Sequence, residues 1–188
     1  MLIDDFLKTY HFSEHHEIIV KNTAGIIFPL IWKINFKKSR IINFLFAVRG
    51  LPKKMDTING FLESGFILLD IKENEEIVMG FLFGITVKEI KRVPPEDFAK
   101  FNDRSYIKGV WNFKISPSVN GSILSTETRI FCPSKISKIF FSIYWYCISY
   151  FSGLVRMEIL KLIKKRPSKK RNFWEKVLRC KTLIIDCS

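Results

Sequence analysis

The chain has 188 residues, of which 47% are apolar and 14% aromatic, phenylalanine alone supplying 18. That length can bury a core without disulfides or metals, and that composition excludes a disordered chain and fits one globular domain. The net charge of +13 is uneven, because residues 161–188 hold ten of the 31 basic residues and two of the 18 acidic ones, so the asymmetry predicts a basic tail rather than a basic body that follows nucleic acid along a whole face.

In chain order, His16 to Val20 reads as a short strand rich in β-branched residues. Ile26–Trp32 and Arg40–Val48 predict two short helices joined by the polar Asn35–Ser39. Pro29 must sit in the first turn of the first helix or break it, and Arg49-Gly50-Leu51-Pro52 stops the second. Gly65–Ile71 and Ile77–Phe83 are strand-like runs around Lys72–Glu76, a hairpin pattern. A polar connection opens at Pro94-Pro95 and runs through Arg104. Val110–Ile115 and Ser122–Phe131 form a second pair around Pro117–Gly121, where Asn120-Gly121 is a turn signal. Ser134 is placed to cap a long helix from Lys135 to about Lys165. Pro167 closes the domain, which gives a domain over residues 1–166 and a basic amphipathic tail over 167–188.

Within the long helix, Ile139 to Val155 runs for 17 residues without a charge. A spanning helix needs about 20 predominantly apolar residues, so a buried helix is the expectation. Met1 to Tyr10 carries Asp4 and Asp5 and no apolar run of the secretory kind, and a reducing cytoplasm is the expected location. Cys132, Cys147, Cys180 and Cys187 show neither a C-x-x-C pair nor histidine at zinc spacing, and Cys147 reads as a buried small hydrophobe.

Strand, two helices, antiparallel strands and a long last helix is the order of an α+β helix-grip fold. The local sequences go further. Phe46-Ala47-Val48-Arg49-Gly50-Leu51-Pro52, Gly65-Phe66-Ile67-Leu68-Leu69, Trp111-Asn112-Phe113, Leu124-Ser125-Thr126-Glu127-Thr128-Arg129, Tyr144-Trp145 and Ser152-Gly153-Leu154-Val155-Arg156 follow one another over roughly residues 12–165. In order and spacing they resemble a bacterial family of the SRPBCC superfamily, related in fold to polyketide cyclases and START lipid-transfer domains. The first helix departs from that pattern, opening with Asn22-Thr23-Ala24-Gly25 where a Pro-Pro-containing loop is usual. The resemblance implies a curved antiparallel sheet around the C-terminal helix, with a cavity for an apolar ligand such as a lipid, sterol or polyketide. Fold alone fixes neither the ligand nor a reaction.

Strand alternation puts Glu127 and Arg129 on one face and Thr126 and Thr128 on the other. If the charged pair faces the cavity it can orient a polar ligand head; on the outer face it is a cross-strand ion pair. Trp111 and Phe113 share a face and serve either the core or the cavity wall. On the long helix, Ile136, Ile139, Ile143, Cys147, Tyr150 and Leu154 follow i, i+3, i+4 spacing and are expected to face the sheet. Phe140, Phe141, Tyr144, Trp145, Ile148 and Phe151 widen that stripe, so some rings line the cavity, pack on other helices or meet a second copy in a homodimer. Arg156 either faces an anionic group or is solvated.

His11, His15 and His16 cluster without a carboxylate-rich frame, so no metal site is assigned, and no cofactor motif is present. No nucleophile motif assigns a catalytic residue, which leans away from an enzyme; a cyclase-, dehydratase- or hydrolase-like activity would need only one pocket acid–base group, Glu127 or a tyrosine. In the tail, Phe173 and Trp174 with Lys176 and Arg179 suit either a solvated end or a peripheral contact with an anionic membrane, and no sequence-specific nucleic-acid motif accompanies them.

Overall fold

The computed structural model describes residues 1–48, 55–85 and 90–164, without the side chains of residues 38, 41, 45, 48, 147, 148, 150 and 151. The expected helix stop at Arg49–Pro52, the side chain of Cys147 and the whole tail 167–188 lie outside the described residues.

Helix α1 (Leu2–Phe6) precedes strand β1 (Phe12–Val20), helix α2 (Ala24–Trp32), a short 3-10 turn (Phe36–Lys38) and helices α3 (Arg40–Val48) and α4 (Ile58–Glu63). Strands β2 (Ile67–Lys72), β3 (Glu76–Gly84) and β4 (Ile90–Lys91) lead to the short helix α5 (Pro95–Phe98), then β5 (Tyr106–Ser118), β6 (Gly121–Phe131) and helix α6 (Lys135–Lys164). The sheet is antiparallel in the order β1-β6-β5-β3-β2, with β4 paired to β3. It is curved and unclosed. At 30 residues α6 is about 45 Å long, enough to lie along the whole sheet.

Local chemistry explains the joints. At the start of α6, Ser137 N–H donates to Ser134 Oγ and Ser134 N–H donates to Ser137 Oγ, both at 3.0 Å, a reciprocal cap for otherwise orphaned donors. Thr57 caps α4, accepting from Gly60 N–H at 3.0 Å. The β5–β6 turn uses Gly121 at φ 131°, where an added Cβ would stand 2.3 Å from the Val20 carbonyl oxygen. Pro29 lies inside α2 rather than in its first turn. It forgoes one hydrogen bond to the carbonyl of Gly25, which is exposed and open to water.

Much of the sheet is covered on both faces, so β3 and the first two thirds of β5 are buried almost without a break, whereas β1 alternates, with Ser13, His15, Glu17 and Ile19 exposed. On the concave face Ile77, Met79, Trp111, Phe113, Ile115 and Leu124 pack with α2, α4 and the last turns of α6. On the convex face Ile67, Leu69, Val78, Leu82 and Val110 pack with Ile3 and Leu7 near α1 and with Phe98 of α5.

Alternation decides where the charged pair of β6 goes. Glu127 and Arg129 lie on the convex face, not in the cavity. There Arg129 Nε donates to Glu127 Oε1 at 2.7 Å, and its Nη1 donates to Asp4 Oδ1 at 2.6 Å and to the Leu7 carbonyl at 3.2 Å. Asn112 joins the network, donating to Glu76 Oε1 at 2.6 Å and accepting from Glu127 N–H at 2.7 Å. Leu2 N–H donates to Glu76 Oε2 at 3.0 Å, so the network pins α1 to the sheet.

The face that α6 turns to the sheet also differs from expectation. Ile136, Ile139 and Ile143 are 62–68% exposed and Leu154 is 39% exposed. The side toward the sheet carries Ser137, Phe141, Trp145, Ser152, Val155, Arg156 and Ile159. Small and polar residues stand there because α6 spans a hollow before it reaches the core, so the most apolar stripe does not mark the inner side.

Candidate functional site

The hollow between the concave face and α6 has a volume of about 680 Å³, within the usual range of about 300–1,000 Å³ for ligand sites. Its wall is mainly aromatic and aliphatic. Phe46 of α3, Phe61 of α4, Phe66 and Phe81 meet Trp111 of β5 on one side; Phe140, Phe141, Tyr144 and Trp145 of α6 stand on the other. Phe61 anchors the first group, edge-on to Phe66 at 5.0 Å, to Trp111 at 5.4 Å and to Phe46 at 6.1 Å, the tilted geometry that ring quadrupoles favour. Phe83, Phe140 and Tyr144 line the hollow and are also 39%, 67% and 42% exposed, which marks its mouth.

Polar groups converge on one part of this wall. Thr128 of β6 and Ser152 and Arg156 of α6 line the hollow. The Arg156 guanidinium donates from Nη1 to Thr126 Oγ1 at 3.4 Å and from Nη2 to Thr128 Oγ1. It lies over the Trp111 ring at 5.9 Å and pairs through Nε with Glu14 Oε2 of β1 at 3.4 Å. Both side chains of that pair are 12% exposed. The second Glu14 oxygen is 2.9 Å from His16 Nε2. Thr126 is fully used: its Oγ accepts from Trp111 Nε1 at 2.7 Å and from Arg156, and donates to the Asn112 carbonyl at 2.7 Å. The two threonine hydroxyls and the Glu14 carboxylate orient the guanidinium, a planar donor group, at the wall of the hollow.

Gly153 makes this approach possible. A Cβ there would stand 3.0 Å from Glu14 Oε1 and 3.2 Å from His16 Nε2. Glycine inside a helix costs up to about 1 kcal/mol against alanine, and here it lets β1 side chains reach under α6.

Of the residues singled out in the sequence, Trp111, Tyr144, Trp145 and Arg156 line the hollow together. Phe113 is fully buried in the core, its ring 5.0 Å from that of Trp111. Glu127 and Arg129 sit on the opposite face, so no carboxylate of β6 reaches the cavity. Phe173, Trp174, Lys176 and Arg179 lie outside the described residues. Sequence reasoning did not single out Glu14, and it took His16 as the start of a strand and part of a histidine cluster, not as a neighbour of the hollow. Their signal was parity: they alternate in register with Phe12, Ile18 and Val20, all turned inward. Among the described residues no group of three or more histidines, cysteines or carboxylates stands where it can hold a metal ion.

No protein-family model matches the chain, and no curated protein matches it. Solved structures do. A protein from Mesorhizobium loti is similar over 84% of this chain and 100% of its own, with 10% identity and a TM-score of 0.43. Norcoclaurine synthase from Thalictrum flavum is similar over 81% of this chain and 97% of its own, with 13% identity and a TM-score of 0.33. A polyketide-cyclase-like protein from Corynebacterium glutamicum is similar over 81% of this chain and 89% of its own, with 12% identity and a TM-score of 0.32. The strand order, the open curved sheet and the long helix across its concave face are those of a helix-grip fold.

Proposed function

We propose that the chain binds an apolar small molecule, of the lipid, sterol or polyketide kind, in the hollow between the sheet and α6. The observation that carries this reading is the hollow itself: about 680 Å³ walled by aromatic and aliphatic side chains, with Arg156 and Thr128 as convergent polar groups. Apolar walls hold the body of such a ligand and a few placed donors orient it. The names of two structural neighbours, a norcoclaurine synthase and a polyketide-cyclase-like protein, agree with small organic ligands.

Native mass spectrometry of gently purified protein, followed by uptake assays with fatty acids, sterols and aromatic polyketides, tests it. Uptake is expected for at least one class and is lost in Ser152→Phe, which fills the hollow from a buried lining position. Absence of uptake across all classes, or equal uptake by that variant, refutes the reading.

A second reading, acid–base catalysis in the same hollow, is favoured by one observation: Tyr144 lines it, while the Glu14–His16 pair stands at 2.9 Å beside Arg156. Glu127, on the far face, has no part in it. Turnover of a bound ligand that is lost in Tyr144→Phe with uptake intact supports this reading; uptake without turnover refutes it.

A further inference from the structure

Ile136, Ile139, Phe140, Ile143 and Tyr146 lie on one side of the first half of α6, and each is 62–87% exposed. Scattered exposed apolar residues need no explanation, but five at helical spacing form a contiguous patch of the kind that marks an interaction surface. From Lys135 to Met157 the helix carries no Asp or Glu, while Lys135 and Lys138 are exposed beside the patch. Among the described residues no helix is long and apolar enough to cross a membrane, so this one is suited to lying on a surface, not spanning it.

We propose that this face of α6 docks on an anionic phospholipid surface, its isoleucines and rings entering the boundary between headgroups and acyl chains and its lysines meeting phosphate. Charge selects this occupant over a second copy of the chain. The chain carries +13 overall, and residues 165–188 add eight basic and two acidic residues directly after α6; that charge repels another copy and is attracted by an anionic bilayer. Position agrees. Phe140 and Tyr144 belong both to the exposed side of α6 and to the mouth of the hollow, so docking opens the hollow toward the bilayer, a consequence that rests on the ligand-binding reading, whereas docking itself does not.

The test is co-sedimentation of the full chain with vesicles of mixed phosphatidylglycerol and phosphatidylcholine and with phosphatidylcholine alone, at low and high salt. The wild type is expected to bind the mixed vesicles, less so at high salt, and to leave phosphatidylcholine largely unbound. Ile139→Glu with Ile143→Glu lowers binding by about tenfold or more, since it removes two interfacial side chains and adds two repelled charges. Val119→Glu, on the exposed β5–β6 turn, keeps at least the larger part of it. Circular dichroism checks folding; should the glutamates disturb the helix, Ile139→Ser with Ile143→Ser reads the part of the loss that comes from the two apolar side chains alone. No binding by the wild type overturns the proposal, as does unchanged binding by the Ile139/Ile143 variants. A dimer in light scattering that these variants make monomeric, without vesicle binding, also overturns it and assigns the face to a second copy. Ligand uptake is measured without vesicles, so failure of the cavity reading is seen separately.

Discussion

Replacing Arg156 with methionine removes a cation from a place where its partner has little water. Glu14 and Arg156 are each 12% exposed and pair at 3.4 Å. Methionine keeps an unbranched apolar stem, so packing beside Trp111 is largely retained and the loss is electrostatic. It comprises the ion pair, the hydrogen bonds to Thr126 and Thr128 and the contact over the Trp111 ring. Leaving one member of a buried pair uncompensated costs about 3–5 kcal/mol. His16 still contacts the other Glu14 oxygen at 2.9 Å, which places the cost at the lower end, about 3 kcal/mol. For a chain of this size that is a fall in Tm of roughly 6–12 °C. Glu14→Gln alone removes the carboxylate that faces the cation and is also destabilising. The double variant removes both charges of the pair and recovers about 1–3 kcal/mol relative to the sum of the two single changes. Thermal melts and urea unfolding of the four proteins measure this cycle. Strict additivity, or an Arg156→Met protein within about 0.5 kcal/mol of wild type, refutes a buried, coupled pair.

On the convex face, Arg129 is 9% exposed between Glu127 and Asp4; Arg129→Met is expected to cost about 3 kcal/mol in urea unfolding and to speed hydrogen exchange in α1. Gly121→Ala meets both a φ of 131° and the Val20 carbonyl oxygen at 2.3 Å, and is expected to destabilise by more than about 1 kcal/mol. The hydrogen bond from Arg129 holds the Asp4 carboxyl below its ordinary value of 3.8. Folding therefore favours the deprotonated form, so this contribution is complete above the unfolded pKa and is lost as pH falls through the lower folded value. In acid titrations α1 loosens over that window, and Asp4→Asn removes this part of the pH dependence; an unchanged acid profile in Asp4→Asn refutes the assignment.

How much of this was legible in the sequence depended on whether the inward residues were apolar. The spans of β2, β3 and β6 were readable to within a residue or two, β2 and β3 as apolar runs and β6, despite the polar stretch Ser125 to Arg129, by the Asn120-Gly121 turn before it and Pro133 after it. β5 begins at Tyr106, four residues before the expected start. Lys108 breaks its pattern, although that side chain is buried, over the Phe98 ring and donating to the Ala99 carbonyl at 3.1 Å. β1 begins at Phe12, and its first half was unreadable for a related reason: Glu14 and His16 are polar residues at inward positions, Glu14 facing the Arg156 cation and the His16 ring, contacts between distant segments that the residue types alone do not announce. α1 and α4, at five and six residues, are too short for periodicity to reveal them.

The long helix carries the most instructive difference. An amphipathic pattern assigns the apolar stripe to the core only when the space beneath the helix is filled. Under the first half of α6 that space is the hollow, and under Gly153 it is occupied by Glu14 and His16. The inner side therefore takes serine, glycine and arginine along with Phe141 and Trp145, while Ile136, Ile139 and Ile143 are free to face outward. Only toward the C-terminus, where Ile159, Leu160 and Ile163 are nearly fully buried, does hydrophobicity again mark the core. The two halves of the helix thus obey different constraints. Ile159→Ala is expected to destabilise by about 2–5 kcal/mol in urea unfolding, whereas Ile143→Ala should leave the fold and change only what the outer face meets.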